Sequence, residues 1–136
     1  MKAMNCALVL AGVIAPHVAA AHVVRHSAIP ETYVGTWAPD PAACRDGKAV
    51  ITLSANAYVG PAGSCVVDYV SETAEPKGST FSARMQCSNL QGQAQKRTIA
   101  NLIMRPDGAD RISLGPTFES LKAYQRCSQS APAGKQ

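Results

Sequence analysis

Histidine is nearly missing from this chain. Only His17, His22 and His26 occur, and none follows residue 26. A body without imidazole excludes a Ser-His-Asp or Cys-His site confined to it, because both need that ring as the base. Closely spaced cysteine pairs are absent too. Among Cys44, Cys65, Cys87 and Cys127 the shortest interval is 21 positions, so zinc knuckles and CxxC redox chemistry lose their support. No glycine-rich phosphate loop occurs: Gly60 and Gly63 sit in a proline-containing turn with no following GK[ST]. Asp107 and Asp110 are close in sequence, but both belong to one turn, "RPDGAD". A glycosidase needs two carboxyls facing each other across a cleft, whereas Asp-Gly is ordinary hairpin chemistry. Glu72 and Glu75 flank another turn and read the same way. Charged residues make up 16% of the chain and form no basic block, which leaves nucleic-acid binding without support. The chain therefore reads as non-enzymatic, with no catalytic residue and no cofactor signature.

What is present begins at the amino terminus. "MKAMNCALVLAGVIAPHVAAAHVVRH" has a positive Lys2, an apolar run from Cys6 to Ala15, a breaking Pro16 and small residues around Ala19 to Ala21. This is the three-part secretory signal, and its apolar run is too short to span a bilayer. Residues 1–21 are expected to be a signal peptide that leaves with Cys6. The formal charge of +4 falls to +3 once Lys2 is removed. Export implies a periplasmic or secreted location, without stable membrane insertion.

In that compartment the four remaining cysteines, Cys44, Cys65, Cys87 and Cys127, read as two disulfides. Four cysteines allow three pairings, and spacing alone does not choose among them. The placement of the elements favours Cys44–Cys65, pinning a helical turn to the sheet, and Cys87–Cys127, joining two strand ends.

The body has short strand-like segments separated by turn signals. In "DPAACRDG", Asp40 suits an N-cap, Pro41 the first helical position and Gly47 the C-cap. Ile51 and Leu53 share one face of a strand. In "CVVDYVSE", strict alternation puts Val66 and Val70 on one face and Cys65, Val67 and Tyr69 on the other. "TFSARMQC" alternates most clearly, with Phe81, Ala83, Met85 and Cys87 inward and Thr80, Ser82, Arg84 and Gln86 outward. "KRTIANLIMR" fits helix or strand, and the following "RPDGADR" turn favours a strand. "TFESLKAYQRC" reads as a closing strand with Phe118 and Tyr124 packed, or as one that includes a short helical piece. The sum is a mainly β fold: a small antiparallel meander of about seven strands, curled into a barrel or sandwich, with one short N-terminal helical turn. Residues 22–32 are expected to be a flexible leader, 33–127 the single β domain and 128–136 a disordered tail.

"YVGTWAPDPAAC", residues 33–44, holds the chain's only tryptophan. Gly35, Trp37, Cys44 and Cys65 give it a resemblance to the periplasmic inhibitors of secreted metalloproteases, which are small antiparallel barrels. Periplasmic lysozyme inhibitors are a second analogy, although their Ser-Gly-x-x-Tyr loop is not found. The resemblance implies a binding or inhibitor module acting on a protein partner in the cell envelope, such as a protease or lysozyme. In such inhibitors an amino-terminal segment enters the protease cleft, and residues 22–32 have that character. The alternative is a periplasmic carrier of a small ligand in the barrel mouth, or of copper. A copper site would use the terminal amine and ring of His22 with the ring of His26. A leader with incidental histidines explains the same residues.

Overall fold

The computed structural model describes residues 12, 14–16, 22–61, 63–88 and 97–128. The signal-peptide reading and the tail beyond Ser128 therefore lie essentially outside the described residues.

The strands are β1 (Val23–His26), β2 (Gly35–Ala38), β3 (Ile51–Leu53), β4 (Ala57–Gly60), β5 (Gly63–Thr73), β6 (Thr80–Ser88), β7 (Arg97–Pro106), β8 (Arg111–Gly115) and β9 (Lys122–Arg126). Each strand from β2 to β9 pairs antiparallel with the next, and β9 returns to pair with β2. The result is a closed eight-stranded up-and-down barrel with β1 added outside the ring. Closure removes the open edges a flat meander would leave. β5 is the longest strand, at 11 residues. Its first part pairs with β4 and its second with β1 on the same edge, while β6 runs along the other.

The helical turn is α1 (Pro41–Asp46). Asp40 Oδ1 accepts a hydrogen bond from the Ala43 amide at 2.8 Å, and Gly47 is the left-handed C-cap. Asp40 thus has the capping role its sequence context indicates. Ile51 and Leu53 both point into the core, as do Ala83 and Met85, with Phe81 and Cys87 packed against it. From Arg97 on, the "KRTIANLIMR" segment is a strand, paired to β6 along most of its length.

Several expectations are corrected. The disulfides are Cys44–Cys127 and Cys65–Cys87. Cys65 and Cys87 face each other directly across β5 and β6. Cys44 on α1 meets the end of β9 because β9 closes the ring beside β2, the strand that leads into α1. Residues 22–32 are not a free leader. β1 pairs with β5, Ile29 is buried, and Glu31–Tyr33 form a 3-10 helix with Tyr33 buried. Val66 and Val70 do not share a face, since Val66 is 62% exposed and Val70 0%. The register shifts between Val67 and Tyr69, so a β-bulge at Asp68 reverses the inward parity. Phe118 lies in a 3-10 helix, Phe118–Ser120, and is 55% exposed. Thr80, expected outward, is buried, and its hydroxyl has no partner among the described residues.

The two ends of the barrel differ. One end is filled by Trp37, Leu53, Val70 and Met104, the largest fully buried side chains. The segment before β2 crosses this end. Ile29 N–H donates to the Ala55 carbonyl at 2.8 Å, Trp37 Nε1 donates to the Tyr33 carbonyl at 2.9 Å, and the Tyr33 ring meets Phe81 edge-on at 5.4 Å. Arg126 seals this floor. Its guanidinium lies 4.3 Å over Trp37 and donates to the carbonyls of Val34 at 2.9 Å and Thr32 at 2.8 Å. Gly35, at φ +146°, is required here, because a β-carbon would collide with that guanidinium.

Candidate functional site: the open mouth of the barrel

The opposite end is where β5, β7 and β9 begin and β4, β6 and β8 finish. Two adjoining hollows of about 340 Å³ each open there, and both are walled by Tyr58, Leu102 and Pro116. The first is lined further by Met85, Ala100 and the Cys65–Cys87 disulfide, the second by Ile51, Leu114 and Tyr124. An eight-stranded ring is just wide enough either to fill with side chains or to hold one small ligand. This barrel does both: its floor half is packed and its mouth half is hollow.

The mouth's shape follows from strand periodicity. On β9, Lys122, Tyr124 and Arg126 are alternate residues and share the inner face. Arg126 closes the floor, Tyr124 packs against the core from the middle, and Lys122 stands at the rim of the second hollow. On β4, Tyr58 rises toward the rim over Gly60, where a β-carbon would fall on the phenol oxygen. Burial pushes the Tyr58 hydroxyl above its ordinary pKa, and neighbouring Tyr124 adds to the shift. Tyr58 therefore stays a protonated hydrogen-bond donor at neutral pH. The walls are thus mostly apolar, with a few polar groups at one side, the usual make-up of a small-molecule pocket.

The residues singled out in the sequence lie elsewhere, except one cysteine pair. Cys65 and Cys87 line the first hollow, whereas Cys44 and Cys127 tie α1 to β9. His22 and His26 are not brought together. Val23 to His26 is extended, which places His26 roughly 10 Å along the strand from Val23. His26 Nε2 instead contacts Glu72 Oε2 at 2.6 Å. Among the described residues no three His, Cys, Asp or Glu side chains gather as a metal site. Hydrogen bonds from Ser79 and then from His26 hold the Glu72 carboxyl below its usual range. Asp107 and Asp110 stay in and beside the β7–β8 turn, where Asp110 lies 3.6 Å from Arg126 Nε. Glu75 pairs with Arg105 at 3.0 Å.

Tyr58, Lys122 and Tyr124 were not singled out as site residues by the sequence. Their only sequence signal is alternation within short strands. Which strand lies opposite, and which end stays open, depends on ring closure.

The class defined by fold and site is an up-and-down β-barrel, closed at one end and hollow at the other. No protein-family model matches the chain, and neither a characterised protein nor a solved structure does. Among the described residues no helix is long and apolar enough to cross a membrane.

Proposed function

We propose that this protein is an exported, non-catalytic binding protein whose open barrel mouth carries a small apolar ligand. The observation that carries the reading is the hollow, apolar upper half of a barrel whose lower half is packed tight. Leaving apolar walls open to water forgoes stabilisation of about 25 cal/mol per Å². A pocket of this size and lining is the usual setting for a small molecule. Two disulfides and the signal-like amino terminus support export to the periplasm or beyond. Titration with a neutral fluorescent naphthylamine tests the reading. The oxidised protein enhances its emission, and Ala100→Trp, which fills the first hollow, abolishes the enhancement. Equal enhancement by the filled variant discards the reading.

One observation favours the inhibitor reading and a protein partner in the envelope. Among the described residues β1 is the terminal strand of the sheet, with one unpaired edge, and Val23 and Val24 are 58% and 48% exposed. An extended edge of this kind can accept a strand from another protein. Docking of residues 23–33 removes the free arm that the resemblance implies, so a partner would be met by the edge and not by an inserted tail. Protease and lysozyme inhibition assays test this; the absence of inhibition and of any captured periplasmic protein rejects it.

A further inference from the structure

We infer that the barrel mouth selects an amphiphilic organic monoanion, a molecule with an apolar body and one carboxylate-like head, and that Lys122 receives the head. This inference rests on the carrier reading above.

Two cations occupy the inner column of β9, and they are not equivalent. Arg126 at the floor is held by Trp37, by two backbone carbonyls and by Asp110. Lys122 at the rim makes no ion pair among the described residues. It is also the only charged residue among the described residues lining either mouth hollow, and no acidic residue lines them. A solvent-exposed lysine at the rim of apolar walls, without a carboxylate partner among the described residues, sets a positive potential at one side of the opening. Its pull acts on an anionic head held at the rim, where the apolar walls beside it exclude part of the surrounding water.

The neighbouring groups suit the same head. Tyr124 follows Lys122 on the inner face, and Tyr58 stands across from it in the shared wall. Each phenol has one O–H to donate, and a carboxylate accepts several such bonds. The apolar body then lies against Leu102, Met85 and the Cys65–Cys87 bridge in the first hollow. A cationic head would meet Lys122 with like charge. A second negative charge would find no second cation in the described lining. Both are disfavoured by the site as built, which leaves the monoanion.

Calorimetric titration of the full oxidised chain with decanoate, decanol and decylammonium tests the inference, each below its aggregation threshold. Decanoate is expected to bind about tenfold more tightly than decanol, the low end for a charge-assisted contact near the surface. Decylammonium is expected to bind weakest. Lys122→Gln should bring decanoate down to the level of decanol and leave decanol unchanged, and Lys122→Arg should restore most of the preference. An unaltered thermal transition checks that each variant is folded. Equal binding of decanoate and decanol, or a decanoate affinity unmoved by Lys122→Gln, overturns the monoanion inference and leaves the carrier reading standing. Failure of all three ligands to bind overturns the inference together with the carrier reading.

Discussion

Arg126 shows how much one side chain can carry. It stacks on Trp37, donates to two carbonyls of the segment before β2 and lies above a glycine that makes room for it. Arg126→Ala should cost about 1–2 kcal/mol, because the part-buried Val34 carbonyl and the exposed Thr32 carbonyl lose a charged donor and Trp37 loses its cover. Arg126→Lys should recover only part, since an ammonium lacks the planar fork that reaches both carbonyls. Urea unfolding of the two variants measures the difference. Thr80 is the opposite case. Its hydroxyl is buried and has no partner among the described residues, so Thr80→Val removes an unsatisfied group and keeps the shape. Thermal unfolding should show that variant as stable as the parent or up to about 1 kcal/mol more stable. Any loss of stability would mean the hydroxyl has a partner in solution. Neither role was legible in the sequence. The Gly-x-Trp stretch was conspicuous, but its arginine lies 89 positions away from Trp37, and only closure of the ring joins them.

Elements with local signals were legible: α1 with its Asp40 cap, β6 with its strict alternation, and the "RPDGADR" turn. β5 was misread in its second half because a bulge adds one residue without any proline or glycine to announce it. The Cys65–Cys87 bridge left a trace that counting could have found. Cys65 lies eight residues before Thr73 and Cys87 seven after Thr80, the two residues paired at the base of the hairpin. The one-residue difference is the bulge. Besides its ladder to β5, β1 is held by a polar clasp, His26 with Glu72, and by Arg25 over Tyr69 at 4.4 Å. Glu72 titrates below its ordinary value of 4.5 when folded. A carboxyl lowered in this way contributes stability above its unfolded pKa and loses that contribution as pH falls through the folded one. Hydrogen-exchange protection of the β1 amides, corrected for intrinsic rates, should therefore fall as pH drops below about 4.5, while the barrel strands keep theirs. Glu72→Gln should make β1 protection low and flat over the same range; an unchanged profile would show that the clasp does not hold β1.

For the whole molecule, the two disulfides differ in the length of chain they close. Cys44–Cys127 spans 83 residues and Cys65–Cys87 spans 22. Loop-closure entropy gives the first about 4.5 kcal/mol and the second about 3.4 kcal/mol. Replacing Cys44 and Cys127 by serine should therefore lower the denaturation midpoint more than replacing Cys65 and Cys87, in parallel urea titrations. The smaller loss at Cys65 and Cys87 should come with altered ligand binding, because that bridge walls the mouth. Composition and pattern by themselves determined the mainly β class, the antiparallel meander, the early helical turn and the presence of two crosslinks. The first three rest on interactions between residues near in sequence, where alternation, capping and turn chemistry operate, and the crosslinks on an even count of cysteines. Tertiary structure alone decided the cysteine partners, the docking of residues 23–33, and the meeting of Tyr58, Tyr124 and Lys122 at one open end. These depend on ring closure, which sets residues far apart in the chain side by side, and no local preference encodes which ones meet.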